Sequence, residues 1–180
     1  QPGPVHIDVP ISVAENGSPE AAHVMSTAPV LGMPDAAAMK RTIDALQDAE
    51  TPLAIAGVYA VNEEAGPAIQ AFCEKYRIPL ITTYKSKGLI DETHPLAIGG
   101  AGLSPKADKT LMPLIAQSDL VFLLGYDPIE MRVGWRNPWS LETHVVEVTP
   151  VIRTHGMHHV SETFLTTISG ALTALSSATP

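Results

Sequence analysis

The chain has 180 residues, 45% of them apolar and 17% charged, with a formal net charge of −8 and a single cysteine. That length suits one domain with one core; the acidic balance excludes nucleic acid, whose phosphates need a basic surface, and no apolar run reaches the roughly 18 residues that cross a bilayer. Cys73 has no partner for an intrachain disulfide and, with no signal-peptide pattern present, the expected compartment is the cytoplasm.

Residues 4 to 11, PVHIDVPI, put Val5, Ile7, Val9 and Ile11 on one face at period two, which predicts a strand. Pro4 and Pro10 make it an edge or terminal strand. Residues 12 to 34, broken by Asn16-Gly17, Pro19, Pro29 and Pro34, read as an irregular linker. Asp35 then caps a helix running to about 49, with Met39, Ile43 and Leu46 as its apolar stripe, and Thr51-Pro52 stops it. Residues 53 to 57 are wholly apolar, as in a strand covered on both faces. A helix over 62–76, capped by Asn62, turns Ala65, Ile69, Phe72 and Cys73 inward. A second strand over 80–83 completes a β-α-β unit, which implies parallel pairing.

After that strand comes a polar turn through Lys87-Gly88, then His94-Pro95-Leu96 and a loop holding Gly99, Gly100 and Gly102. Ala107, Leu111, Leu114 and Ile115 mark a helix over 105–117. Residues 119 to 125 form the strongest strand signal, expected at the centre of the sheet, and residues 144 to 148 form another. A last helix is expected over 162–175, capped by Ser161, with Phe164, Leu165, Ile168, Leu172 and Leu175 inward. Strands alternating with helices predict a doubly wound α/β domain, with a mostly parallel sheet and helices on both faces. The expected division is 1–34 as the end of a preceding domain plus linker, 35–176 as the α/β domain, and 177–180 as a tail. The missing initial Met and the Ser/Ala/Thr/Pro tail read as the ends of an excised piece.

The stretch IPLITTYKSKGLIDETHPLAIGGAG resembles the middle of the central domain of thiamine-diphosphate-dependent enzymes of the acetolactate synthase type. The pattern is a proline-led strand ending in two threonines, a Lys-Gly turn, His-Pro-Leu and a glycine-rich loop. GPVHIDVP is similar to the closing strand of the domain before it. The resemblance runs from Pro4 to about Leu175. It implies a Rossmann-like fold and a parent that decarboxylates or ligates a 2-keto acid, with the cofactor as electron sink. Thiamine diphosphate and Mg2+ would be held by other domains of the parent chain, and the assembly would be a homodimer or homotetramer. FAD or ADP is the ligand the resemblance implies for this domain itself, at a nucleotide site that Asp127 and the bulky Val58-Tyr59 mark as vestigial or altered.

The candidate cofactor-binding residues lie where strands end. Gly57 and Val58 follow the first strand, but no G-x-G-x-x-G follows, and Val58 and Tyr59 are bulkier than the family's loop. Thr82, Thr83 and Lys87 offer hydroxyls, N–H groups and a point charge that suit a diphosphate; the alternative is a solvated surface turn. Gly100 belongs to the glycine-rich loop. After the central strand the family's Gly-x-Arg-Phe-Asp-Asp-Arg run is replaced by Gly125-Tyr126-Asp127-Pro128-Ile129-Glu130-Met131-Arg132. Asp127 takes the first arginine position, a carboxylate where a diphosphate wants a cation, and Arg132 stands near the second. Glu147 falls on the acidic position that accepts ribose hydroxyls, or is an ordinary strand-end charge.

His155, His158 and His159, with Glu162, look like a metal cluster but lack a rigid fourth ligand, so a polar loop is the plainer reading. Trp135 and Trp139 read as a packing or interdomain patch. No hydrolase, zincin or P-loop motif occurs, so no catalytic residue is assigned and the piece does no chemistry alone. Two alternatives stand beside the thiamine-enzyme reading. One is an FAD- or NAD-binding module of a flavoprotein or deacetylase-like fold. The other is a ligand-free scaffold, which predicts that side chains close the space between Gly57, Thr83 and Gly125.

Overall fold

The computed structural model describes residues 6–16, 31–153 and 156–178 of the chain. Residues 6–16 lie in a unit of their own, where Ile11–Ala14 (α1) makes one helical turn. The expected strand over 4–11 is corrected there: residues 6 to 10 pair with no strand. A lone strand has nothing to bond its backbone to, so alternation alone does not hold it. Residues 4 and 5, and most of the expected linker, lie outside the described residues.

The second unit begins with Ala36–Asp48 (α2), where the Asp35 carboxylate accepts from the Ala37 and Ala38 N–H groups at 2.9 Å, as an N-cap should. Pro52–Ala56 (β1) follows, then Val58–Asn62 (α3), Gly66–Tyr76 (α4) and Leu80–Thr83 (β2). Next come Ala97–Ala101 (β3), Pro105–Gln117 (α5), Leu120–Leu124 (β4), His144–Thr149 (β5), Glu162–Leu165 (β6) and Ile168–Ala178 (α6). The six strands form one sheet in the order β3-β2-β1-β4-β5-β6, and every pairing is parallel. The order reverses between β1 and β4, which opens a crevice at their carboxyl ends.

Strand alternation divides the core into two layers. Leu120, Phe122 and Leu124 of β4 face α4 and α6 residues such as Phe72, Ile69 and Leu172. Val121 and Leu123 face the other way, towards Leu111 and Ile115 of α5 and towards Trp135 and Trp139. Both tryptophans are buried, which resolves them as packing. They lie on the β4–β5 connection, which crosses over with two 3-10 turns instead of a helix.

Four expectations change. The helix expected over 62–76 is two helices: Asn62 ends α3, and α4 starts at Gly66 with Pro67 in its first turn. The glycines Gly99 and Gly100 lie within edge strand β3, whose register slips beside β2. Leu114 stays exposed on α5. The helix expected from 162 begins only at Ile168, whose N–H donates to Glu63 Oε2 at 2.7 Å, and residues before it are β6. That helix then runs on through Ala178, into the expected tail.

Cys73 is buried in α4, and burial pushes its thiol up to about 12. Alkylation of the native protein at pH 8 is therefore expected to run on the order of a thousandfold more slowly than with free cysteine. Equal rates in native and urea-unfolded protein would contradict this placement.

Candidate functional site

The crevice between β1 and β4 is built on two glycines in backbone contact. A Cβ on Gly57 would lie 2.5 Å from the Gly125 carbonyl oxygen and 2.6 Å from Tyr126 Cα. Gly125 has φ +62°, and a Cβ there would meet the Ala60 nitrogen at 2.6 Å. Gly57 N–H donates to the Leu124 carbonyl and Tyr59 N–H to the Gly125 carbonyl. The glycines thus press the two strand ends together, where a nucleotide fold keeps them for ligand approach.

The carboxylate of Glu130 closes the space beside them. Its Oε1 accepts from the Val58 N–H at 3.1 Å, and its Oε2 accepts from the Thr83 hydroxyl at 2.6 Å. Ser86, on the turn after β2, donates its hydroxyl to the Ala56 carbonyl at 2.6 Å. Thr83, Ser86 and Glu130 are all buried. Three strand ends, those of β1, β2 and β4, are tied through this one acid. Asp127 caps the 3-10 turn that carries Glu130, accepting from Ile129 N–H at 3.0 Å. Its other oxygen lies 3.4 Å from the Tyr59 hydroxyl. Burial, and then the Asp127 charge, raise the Tyr59 pKa above the ordinary tyrosine value.

One strand further along, Glu147 is 1% exposed at the end of β5. Arg153 Nε lies 3.4 Å from its Oε2, and the His158 ring stands on the other side with Nε2 3.6 Å from its Oε1. A small cavity of about 70 Å³ adjoins it, lined by Tyr59, Tyr126, Asp127, Thr149 and Arg153 among others. Burial, with the nearby Glu130 and Asp127 charges, also raises the pKa of Tyr126, so its hydroxyl stays neutral. Among the described residues no group of three or more His, Cys, Asp or Glu is placed to hold a metal ion. His155 lies outside the described residues, while His158 packs edge-on to Trp139 at 5.2 Å between ring centroids.

Of the expected site residues, the structure brings together Gly57, Val58, Thr83, Gly125 and Asp127, with Glu147 beyond them. Lys87 pairs with Glu92 on the surface. Thr82 and Gly100 face each other where β2 pairs with β3, and Arg132 borders an open groove of about 550 Å³ beside α5. Glu130, Ser86 and Arg153 were not among the expected residues. The Asp127-Pro128 turn, which aims Glu130 back at the sheet, is the one local signal for Glu130. Tested against a diphosphate, the crevice does not fit: an acid already takes the Val58 N–H and the Thr83 hydroxyl.

A family model described as "Thiamine pyrophosphate enzyme, central domain" matches residues 39–175. The chain is 30% identical over 133 residues to the "Probable acetolactate synthase large subunit" of Methanococcus aeolicus, covering 69% of this chain and 22% of that one. It is 33% identical over 111 residues to the pyruvate oxidase of Lactiplantibacillus plantarum, covering 61% and 18%. An X-ray structure from Mycobacterium smegmatis, assigned to the thiamin diphosphate-dependent enzymes, shares the fold at a TM-score of 0.64 and 18% identity, covering 82% of this chain and 28% of that one. The chain thus spans about a fifth of the length of the first two relatives. A flavoprotein- or deacetylase-like nucleotide module finds no support in these matches.

Proposed function

The chain belongs to the thiamine pyrophosphate enzyme central domain family, and from that footing we propose that it is the middle domain of a larger enzyme acting on a 2-keto acid. The family match over most of the α/β unit carries this reading. The relatives named for acetolactate and pyruvate, both products or substrates of 2-keto acid chemistry, support the substrate class. Thiamine diphosphate supplies an electron sink for the carbanion left by decarboxylation; that cofactor and Mg2+ would be held by other parts of the parent. This domain's own share is mechanical. It joins the domains on either side and supports the contacts of a homodimer or homotetramer. Among the described residues no helix is long and apolar enough to cross a membrane, which is in keeping with a cytoplasmic enzyme.

The test is carbon dioxide release by the purified full-length parent from pyruvate and longer 2-keto acids. Release that needs both thiamine diphosphate and Mg2+, with none from the 180-residue chain alone, is expected. A parent active without thiamine diphosphate, or inert towards every 2-keto acid, would contradict the reading.

A further inference from the structure

We propose that this domain occupies its own nucleotide edge: Glu130 stands where a ligand's phosphate would, Arg153 and His158 answer the acid that would hold its ribose, and adenine nucleotides and flavins are thereby kept out. The inference rests on the thiamine-enzyme reading, since the family resemblance is what implies FAD or ADP here.

Proton counting carries the phosphate side. The Thr83 hydroxyl donates to Glu130 and the Ser86 hydroxyl to the Ala56 carbonyl, each at 2.6 Å, so both hydroxyl hydrogens are spent within the chain. The Val58 N–H is spent on the other Glu130 oxygen. A phosphate arriving beside Gly57 finds the Val58 N–H and the Thr83 and Ser86 hydroxyls already committed, and it meets the negative charges of Glu130 and Asp127. Nor is there a slot between the loops, because Gly57 and Gly125 are in backbone contact. On the ribose side Glu147 is buried, and both its oxygens face cationic or protonatable groups of the β5–β6 connection. The neighbouring cavity, about 70 Å³, has room for no more than a few waters; ligand pockets run from roughly 300 to 1,000 Å³.

The consequence is a β4–β5 connection held in place by an internal anion, with its order independent of any nucleotide. The test is thermal melting of the chain with ADP and with FAD, each at about 1 mM. A ligand of about 10 µM dissociation constant would raise the melting temperature by roughly 5–10 °C at that concentration. The wild-type chain is expected to stay within about 1 °C of its ligand-free value, which is far below that shift. Glu130→Ala is expected to melt lower and to recover part of the loss in formate, which can refill the place of the carboxylate, and not in chloride of equal ionic strength. A saturable rise of the wild type with ADP or FAD would overturn the proposal. So would a Glu130→Ala protein that recovers equally in chloride. If that variant does not fold, the wild-type titration decides alone. A nucleotide-induced rise would leave the thiamine-enzyme reading standing, because that reading fails only in the keto-acid assay.

Discussion

Gly125→Ala is expected to lower the melting temperature of this domain by roughly 5–15 °C. Two costs combine. At φ +62° an L side chain sits in the left-handed region, at about 1–2 kcal/mol. The new Cβ would also lie 2.6 Å from the Ala60 nitrogen, 2.8 Å from Ile168 Cδ1 and 2.9 Å from Tyr59 Cβ. The isoleucine tip can turn away, but the backbone nitrogen belongs to α3 and cannot. Overpacking of this kind costs about 1–3 kcal/mol. Gly134→Ala is the control, since an added Cβ there meets nothing within 4 Å, and its effect is expected within about 0.5 kcal/mol. Equal melting temperatures for the two variants would show that β1 and β4 do not meet as described.

Glu130→Ala is expected to destabilise the domain by about 1–3 kcal/mol. Two effects oppose. Truncation removes a carboxylate whose burial is itself unfavourable. It also strips the part-buried Val58 N–H of its acceptor and leaves the buried Thr83 hydroxyl to turn elsewhere. Charge-assisted bonds are the stronger kind, so the loss wins. Coupling with Thr83→Val identifies the pair: a double-mutant cycle should return an interaction of about 0.5–3 kcal/mol. Additive single effects would mean that the two side chains do not meet.

Much of the fold was legible because the buried strands declare themselves locally. Residues 53–57 and 120–124 are apolar without interruption, a pattern that two-sided burial explains, and both are central in the sheet. The Asp35 cap and the stripe of α2 were equally local. Strand β6 was not, because Phe164 and Leu165 continue at helical spacing into Ile168, Leu172 and Leu175. Pairing with β5 decides in favour of a strand, and that partner lies beyond any local window. Asn62 is a good capping residue type, yet it ends a helix, since Val58 had already begun one beside β4.

The candidate site was legible in its positions and not in its chemistry. Gly57, Thr83 and Gly125 do meet at the switch point, where strand ends in an open parallel sheet must meet. What fills the space between them depends on Glu130, which bonds residues 72 and 47 positions away. An acid in a loop carries no mark of burial in the sequence. Arg132, expected to serve a phosphate, instead borders the groove beside α5, because the 3-10 turn from Pro128 to Glu130 turns the chain first.

Hydrogen exchange at the Val58 amide tests the closed edge most directly. This N–H opens a short helix and has no partner within it; the Glu130 carboxylate is the acceptor that shields it. The expected result is slow exchange in the wild-type chain and a rate at least about tenfold faster in Glu130→Ala, in line with the loss of about 1.4 kcal/mol or more at that bond. Exchange at Val58 as fast in the wild type as in the variant would contradict an edge closed by the domain's own acid.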